Sequence, residues 1–118
     1  MIIRQKDVPE FTVEGDIESG SLIAKKIIHR DEHSKDISVV WVKFEGQHKK
    51  MVCDASDRVY YIIGGEGQFQ VGDDEPGKVT TGDFVFVPKS VPYVFDGHMT
   101  FLVMNGPAFI PGTDRFPE

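Results

Sequence analysis

One cysteine, Cys53, is all the chain contains. No internal disulfide can therefore staple it, in keeping with a reducing compartment. No segment approaches the ~20 apolar residues of a membrane-spanning helix. The opening MIIRQKDVPEF also lacks a long apolar stretch followed by a small-residue cleavage site. A cytoplasmic protein with no membrane partner is expected. Basic residues are scarce as well: 13 Lys and Arg face 19 Asp and Glu, a formal net charge of −6. The only basic clusters are Lys25-Lys26 and Lys49-Lys50, too little to hold a phosphate backbone, so no nucleic-acid partner is expected. Internal repeats, low-complexity tracts and a convincing amphipathic helix are all missing.

What the chain does have is strand material and punctuation. Its 118 residues are 40% hydrophobic, with 12 Gly and 7 Pro. A chain of this size makes one domain that buries about two thirds of its unfolded surface. An extended N-terminal arm is expected over about residues 1–20, a barrel over about 21–105 and a strapped-down extension over about 106–118. Ser21 to Arg30 reads as a strand. Ile37 to Phe44 (ISVVWVKF) is apolar on both faces, with Val39 and Trp41 on one and Val40, Val42 and Phe44 on the other. A second subunit or the N-terminal arm would cover the extra apolar face, and a homodimer is the expected state.

The richest stretch is Gly46 to Val71, GQHKKMVCDASDRVYYIIGGEGQFQV. Residues 58–63 carry β-branched and aromatic side chains, Gly64, Gly65 and Gly67 permit a tight reversal, and 68–71 alternate. This predicts a β-hairpin in which Arg58, Tyr60, Ile62, Phe69 and Val71 share one face. Further short strands are expected at 78–80, 84–87, 93–95, ending at Asp96-Gly97, and 100–105. Nine to eleven short strands without a helix make an all-β, antiparallel sandwich or barrel.

Two segments together resemble the cupins, which are small jelly-roll β-barrels. The first cupin motif sets a glycine, two histidines, a glutamate and a second glycine at fixed spacing, and Gly46 and Gly65 stand at the matching distance. The second sets a glycine, a proline, a histidine and an asparagine, and Gly82 and Pro88 match it. The framework covers Gly46 to Gly97, about half the chain. The resemblance implies a jelly-roll barrel. In metal-binding cupins the three histidines and the glutamate converge on one divalent metal. At those positions this chain carries Val52, Asp54, Arg58 and Tyr93, of which only Asp54 is an ordinary ligand. Metal is accordingly expected to be absent, and no other cofactor is called for. A register shift that brings His48 or Asp54 to a metal is the exception to that expectation. His29, His33, His48 and His98 read as solvated loop histidines.

If Arg58, Tyr60 and Tyr93 face inward, the barrel offers a cation, two phenols and an apolar wall. Such a site suits a small polar or anionic ligand: the guanidinium pairs with a carboxylate or phosphate and the phenols meet hydroxyls. Arg58, Tyr60, Tyr93 and Asp54 are the candidate ligand-binding residues, and a small-molecule-binding protein is the first functional reading. The second is a small metal-free enzyme, an isomerase, dehydratase or lyase, with Tyr93 or Tyr60 as acid and Asp54 as base. The third is a structural module whose barrel is filled by side chains.

Overall fold

β-Branched and aromatic residues recurring at every second position favour long pleated strands, and the computed structural model, which describes residues 1–117, is built almost wholly from them. Among the described residues one 3-10 turn, Gln5–Asp7, lies in the N-terminal arm. Nine strands follow: β1 (Phe11–Thr12), β2 (Ile17–Ile28), β3 (Ser38–His48), β4 (Val52–Cys53), β5 (Asp57–Val71), β6 (Gly77–Thr80), β7 (Phe84–Val87), β8 (Tyr93–Gly106) and β9 (Asp114–Arg115). Among the described residues no helix is long and apolar enough to cross a membrane.

The main sheet has the order β1-β2-β3-β8-β5-β6, and β7 pairs with β5 beside β6. Every pairing is antiparallel. A second, two-stranded sheet joins β4 to β9, so the C-terminal segment is strapped across one end of the roll. The strap is anchored by Ser56 Oγ, which donates to the Pro107 carbonyl at 2.7 Å, and by Ala108 N–H, which donates to the Lys35 carbonyl at 3.1 Å.

The expected hairpin at Gly64–Gly67 does not form. β5 runs straight through these glycines for 15 residues, with a bulge where the register steps from Ile62↔Phe101 to Gly64↔Thr100. The extra residue, Ile63, switches the parity of the strand. Arg58, Tyr60 and Ile62 before the bulge and Phe69 after it therefore all face the core, each at most 4% exposed. The turn expected at Asp96-Gly97 is likewise the middle of the continuous β8.

Both misreadings have one cause. Gly20, Gly46, Gly97 and Gly67 pair in register across β2, β3, β8 and β5, forming a glycine row that lets four adjacent strands bend together. Gly97 has φ 139°, and a Cβ there would lie 2.5 Å from the Glu66 carbonyl oxygen. Only glycine fits such a position.

Inside the roll, Phe44, Tyr60, Phe69, Tyr93, Phe95 and Phe101 form the aromatic heart of one core, with Phe95 stacked on Phe69 at 4.6 Å and edge-on to Phe101 at 5.7 Å. Outside, Trp41, Leu102, Tyr61 and Phe84 line up in register across β3, β8, β5 and β7. The Lys25 ammonium rests 5.3 Å from the centre of the Trp41 ring and donates to the Gln5 carbonyl, so the N-terminal arm covers part of this face.

Candidate functional site

The strand registers place inward side chains in rows. Ser38, Asn105 and Arg58 form one row across β3, β8 and β5; Val40, Val103 and Tyr60 form the next. Between these rows and the C-terminal strap lies a cavity of about 340 Å³. Its walls are mostly apolar, which leaves its few polar groups conspicuous: Asp16, Lys26, Ser38, His48, Arg58, Tyr60 and Asn105, with Asp114 from the strap. The barrel is therefore open inside, not filled by side chains.

Arg58 is the hub. Its Nε donates to Asn105 Oδ1 at 2.9 Å, Nη1 to Tyr93 Oη at 2.8 Å and to Met51 Sδ at 3.3 Å, and Nη2 to the two carboxylate oxygens of Asp114 at 3.1 and 3.4 Å. A guanidinium has five N–H donors, and these contacts use the whole fork. With a side chain only 5% exposed, Arg58 stays a cation: burial opposes the charge, and the Asp114 carboxylate and the hydrogen bond to Tyr93 keep its pKa above the ordinary value. The expectation that Arg58 anchors an anionic ligand is not carried by this geometry, because its charge and donors are already spent within the protein.

Tyr93 receives the Arg58 proton donor and lies 2.6 Å from Tyr60 Oη. Its own O–H proton can go to Tyr60 or to Met51 Sδ, 3.3 Å away. A thioether is the weaker acceptor, so the phenol takes it. Tyr60 then has its own O–H proton left to offer to the cavity, which it lines, whereas Tyr93 lies behind it. The relay Arg58 to Tyr93 to Tyr60 polarises that proton, since hydrogen bonds in a chain reinforce one another in a low-dielectric interior. Burial, with the neighbouring Tyr93, holds the Tyr60 hydroxyl well above its ordinary pKa of 10.0, so it remains a proton donor.

His48 is the residue that sequence reasoning missed. It closes β3 and is 5% exposed, not solvated. Its ring stacks on Phe95 at 4.4 Å, and Tyr60 packs edge-on to the same Phe95 at 5.5 Å, so the two rings flank one aromatic wall. His48 Nδ1 lies 2.7 Å from the Lys49 carbonyl. A carbonyl only accepts, so Nδ1 carries the proton and Nε2 keeps a free lone pair. Burial lowers the His48 pKa below 6.5, and Asp16 works against that shift. Asp16 is itself raised above the usual carboxylate value by burial, with His48 pulling the other way. A signal was present in the sequence: the alternation from Val42 and Phe44 points every second residue inward, and that phase reaches His48.

Asp54, the expected base, does not reach the cavity. It sits outside β4, its side chain 45% exposed, paired with Arg115. It accepts from an arginine instead of facing the interior because Val52 and Cys53 both turn into the small β4-β9 sheet, where they are 2% and 3% exposed.

Jelly-roll barrels of this kind often hold a metal. The centre of this cavity is a poor place for one: the hub is a permanent cation whose neighbours are phenols, a thioether, an amide and the Asp114 carboxylate already paired with it. Among the described residues one cluster could gather metal ligands, His29, Glu32 and His33, but it lies on the turn after β2, outside the barrel. It borders a wider cleft of about 880 Å³ between the N-terminal arm and β2. His33 Nδ1 there already accepts the His29 backbone N–H at 3.0 Å.

No protein-family model and no curated protein sequence matches the chain. Solved structures do. Pac13, described as a unique nucleoside dehydratase, superimposes with a TM-score of 0.81 at 19% identity over 100% of this chain and 91% of its own. A cupin-like protein of Thermotoga maritima gives 0.76 at 15% identity over 90% and 83%. KdgF from Halomonas sp. gives 0.75 at 16% over 92% and 96%. The fold is a cupin fold. Streptomyces Pac13 also has solved variants in complex with uridine, in which one of two tyrosines is changed to phenylalanine or a histidine to glutamine.

Proposed function

We propose that this chain is a metal-independent cupin enzyme that removes water from a small hydroxylated carbonyl compound held in its barrel. One observation carries the reading: a buried, neutral histidine with a free Nε2 and a tyrosine hydroxyl primed by Arg58 and Tyr93 face the same apolar cavity. These are the base and the acid that an elimination needs. His48 Nε2 takes a proton from the carbon beside the carbonyl. Tyr60 gives its O–H proton to the departing hydroxyl, which leaves as water, and Tyr93 with Arg58 behind it steadies the phenolate. Proton exchange with solvent resets both groups. Asp16 stabilises the imidazolium. The likeness to a nucleoside dehydratase, whose solved variants alter two tyrosines and a histidine, supports placing the chemistry on these residue types.

The test is turnover of β-hydroxy aldehydes and ketones, uridine-sized and smaller, followed by the near-ultraviolet absorbance of the unsaturated product. His48→Gln and Tyr60→Phe should each lower kcat by about 10²–10⁴ while the melting temperature holds. If the wild-type protein turns over none of these compounds, the catalytic reading fails. Ligand binding without turnover would return the protein to a small-molecule carrier.

A homodimer is proposed on the outer face, where Phe84 is 68% and Phe86 58% exposed beside the uncharged row Trp41, Leu102 and Tyr61. A second copy can bury this strip against its own equivalent. Light scattering coupled to size exclusion decides it: Phe84→Glu should convert a dimer to a monomer, and a monomeric wild type refutes it.

A further inference from the structure

Asn105 is the sole asparagine of the chain, and it is in an unusual position. It is 3% exposed and lines the cavity. Its Oδ1 accepts the Arg58 Nε–H at 2.9 Å. Arg58 can only donate, so the orientation of the amide is fixed: the oxygen faces Arg58 and the NH₂ group faces away from it. That Nδ2 has no hydrogen-bond partner among the described residues. A buried donor left unpaired is costly, and native proteins rarely tolerate one without a purpose.

Ser38 stands opposite Asn105 on β3 and is also 3% exposed. Its Oγ accepts the Phe109 N–H at 2.9 Å, so its hydroxyl proton is a second donor at the same end of the cavity. Two donors on paired residues of neighbouring strands suit one oxygen with two lone pairs. The charge at this end is closed, because Arg58 is matched by Asp114. An anionic oxygen here would face the Asp114 carboxylate, and the other cation lining the cavity, Lys26, stands opposite Val40 in the next row with its ammonium over the Phe11 ring.

We infer that Asn105, with Ser38, is the specificity-determining donor site for the ligand and that it reads an uncharged carbonyl oxygen, of the kind carried by amides, lactams and oxo-heterocycles. The Asn105 row is adjacent to the Tyr60 row, two residues along the strand, a spacing of about 7 Å. The carbonyl read by Asn105 is thus a handle on the head group, one ring's width from the atoms facing Tyr60 and His48. The ligand class is a neutral, planar, carbonyl-bearing head group joined to a hydroxylated part. This inference rests on the cavity being the ligand site, and not on the elimination step.

Because there is one asparagine, protein labelled with ¹⁵N-asparagine gives one side-chain NH₂ pair by NMR. The probes are N-methyl-2-pyridone, a planar neutral acceptor, toluene, which has no acceptor, and benzoate, which is anionic. N-methyl-2-pyridone should move the NH₂ pair and bind at least tenfold more tightly than either of the others. Asn105→Asp keeps an oxygen for Arg58 but replaces the donor with an acceptor, so it should weaken N-methyl-2-pyridone at least tenfold while toluene binding and the melting temperature are kept. A merely structural asparagine would leave the probes undiscriminated. The inference is overturned if the pyridone is not bound, if it leaves the NH₂ pair unmoved, or if Asn105→Asp binds it as the wild type does. The NMR and probe comparison decide the matter even if Asn105→Asp does not fold. Turnover of β-hydroxy carbonyl compounds with unchanged KM in Asn105→Asp would sink this inference and spare the catalytic reading. Pyridone selectivity without any turnover would do the reverse.

Discussion

Asp114→Asn tests whether Arg58 is the pivot of this fold. Asp114 and Arg115 are neighbours on β9, yet Asp114 turns inward to Arg58 and Arg115 turns outward to Asp54. The inner pair is nearly dry, with side chains 5% and 18% exposed, while the outer pair is 58% and 45% exposed. At the 3.1 Å separation of the inner pair, Coulomb attraction at an effective dielectric of about 20 is about 5 kcal/mol. Orphaning one charge of a buried pair costs about 3–5 kcal/mol. Asparagine keeps an oxygen that can accept one Arg58 bond and Asp114 is partly solvated, so the lower end, about 3 kcal/mol, applies. Unfolding entropy of about 2.1 cal/mol/K per residue over 118 residues gives about 0.25 kcal/mol/K, and the expected fall in Tm is about 12 °C. Asp54→Asn, by contrast, should leave Tm within measurement scatter, because an exposed pair is screened by water and salt. Thermal unfolding followed by circular dichroism at pH 7 compares the two directly. Equal Tm values for the two variants would refute the idea that Asp114 neutralises a buried cation.

Four further outcomes follow from the same geometry. The pH profile of kcat/KM should be flat across neutrality: burial keeps the His48 pKa below 6.5, so the base is lost only as pH falls through that lowered value, and the Tyr60 proton is retained past pH 10.0. An acid limb centred above 6.5 would contradict it. Stability has its own sign, since below 6.5 the unfolded chain takes up a proton that folded His48 refuses, so ΔG of unfolding should fall as pH drops through 6.5. Tyr93→Phe removes the acceptor of a buried Arg58 N–H and should cost about 1–3 kcal/mol, and it should lower kcat with KM unchanged, because Tyr93 does not line the cavity; urea titration and steady-state kinetics read the two effects. Gly97→Ala places a Cβ 2.5 Å from the Glu66 carbonyl oxygen and should destabilise by more than about 3 kcal/mol, whereas Gly77→Ala, with open space around it, should stay within about 0.5 kcal/mol; denaturant midpoints compare them.

The core face of β5 was legible before its path was. Arg58, Tyr60, Ile62 and Phe69 share the inner face whether the parity changes in a hairpin turn or, as it does, at the Ile63 bulge. Local sequence does not distinguish the two, because glycine supports a reversal and a bent strand equally well. The distinction lies in the partners: Gly67 faces Gly97, which faces Gly46, which faces Gly20, a pattern spread over 78 positions that no short window contains. Histidine 48 was hidden for a similar reason. Gln47, Lys49 and Lys50 make its surroundings look polar, and only the continuation of β3 to its eleventh residue reveals an inward side chain. Asp54 failed in the opposite direction: motif spacing assigned it inward, but β9 pairs with β4 and offers Arg115 on the outside.

Arg58 connects these observations. A buried cation fixes the orientation of the side chains around it. Here a guanidinium occupies that role with fixed planar geometry, and its directions are discrete: Asn105 at Nε, Tyr93 and Met51 at Nη1, Asp114 at Nη2. Each direction has a separate consequence. The Asn105 contact fixes the amide of a cavity-lining residue with its NH₂ turned from Arg58 and unpaired, the Tyr93 contact leaves Tyr60 with a proton to give, and the Asp114 contact fastens the C-terminal strap over the cavity's end. Replacing Arg58 with lysine should therefore be damaging despite conserving charge, since an ammonium has three donors and no plane. In Arg58→Lys the charge pair with Asp114 can be kept while the Asn105 and Tyr93 orientations are not. The variant should accordingly hold more of its stability than Asp114→Asn does, yet lose turnover and carbonyl discrimination together. A lysine variant with wild-type turnover would mean that the charge alone matters, and that the fork of Arg58 does not organise the site.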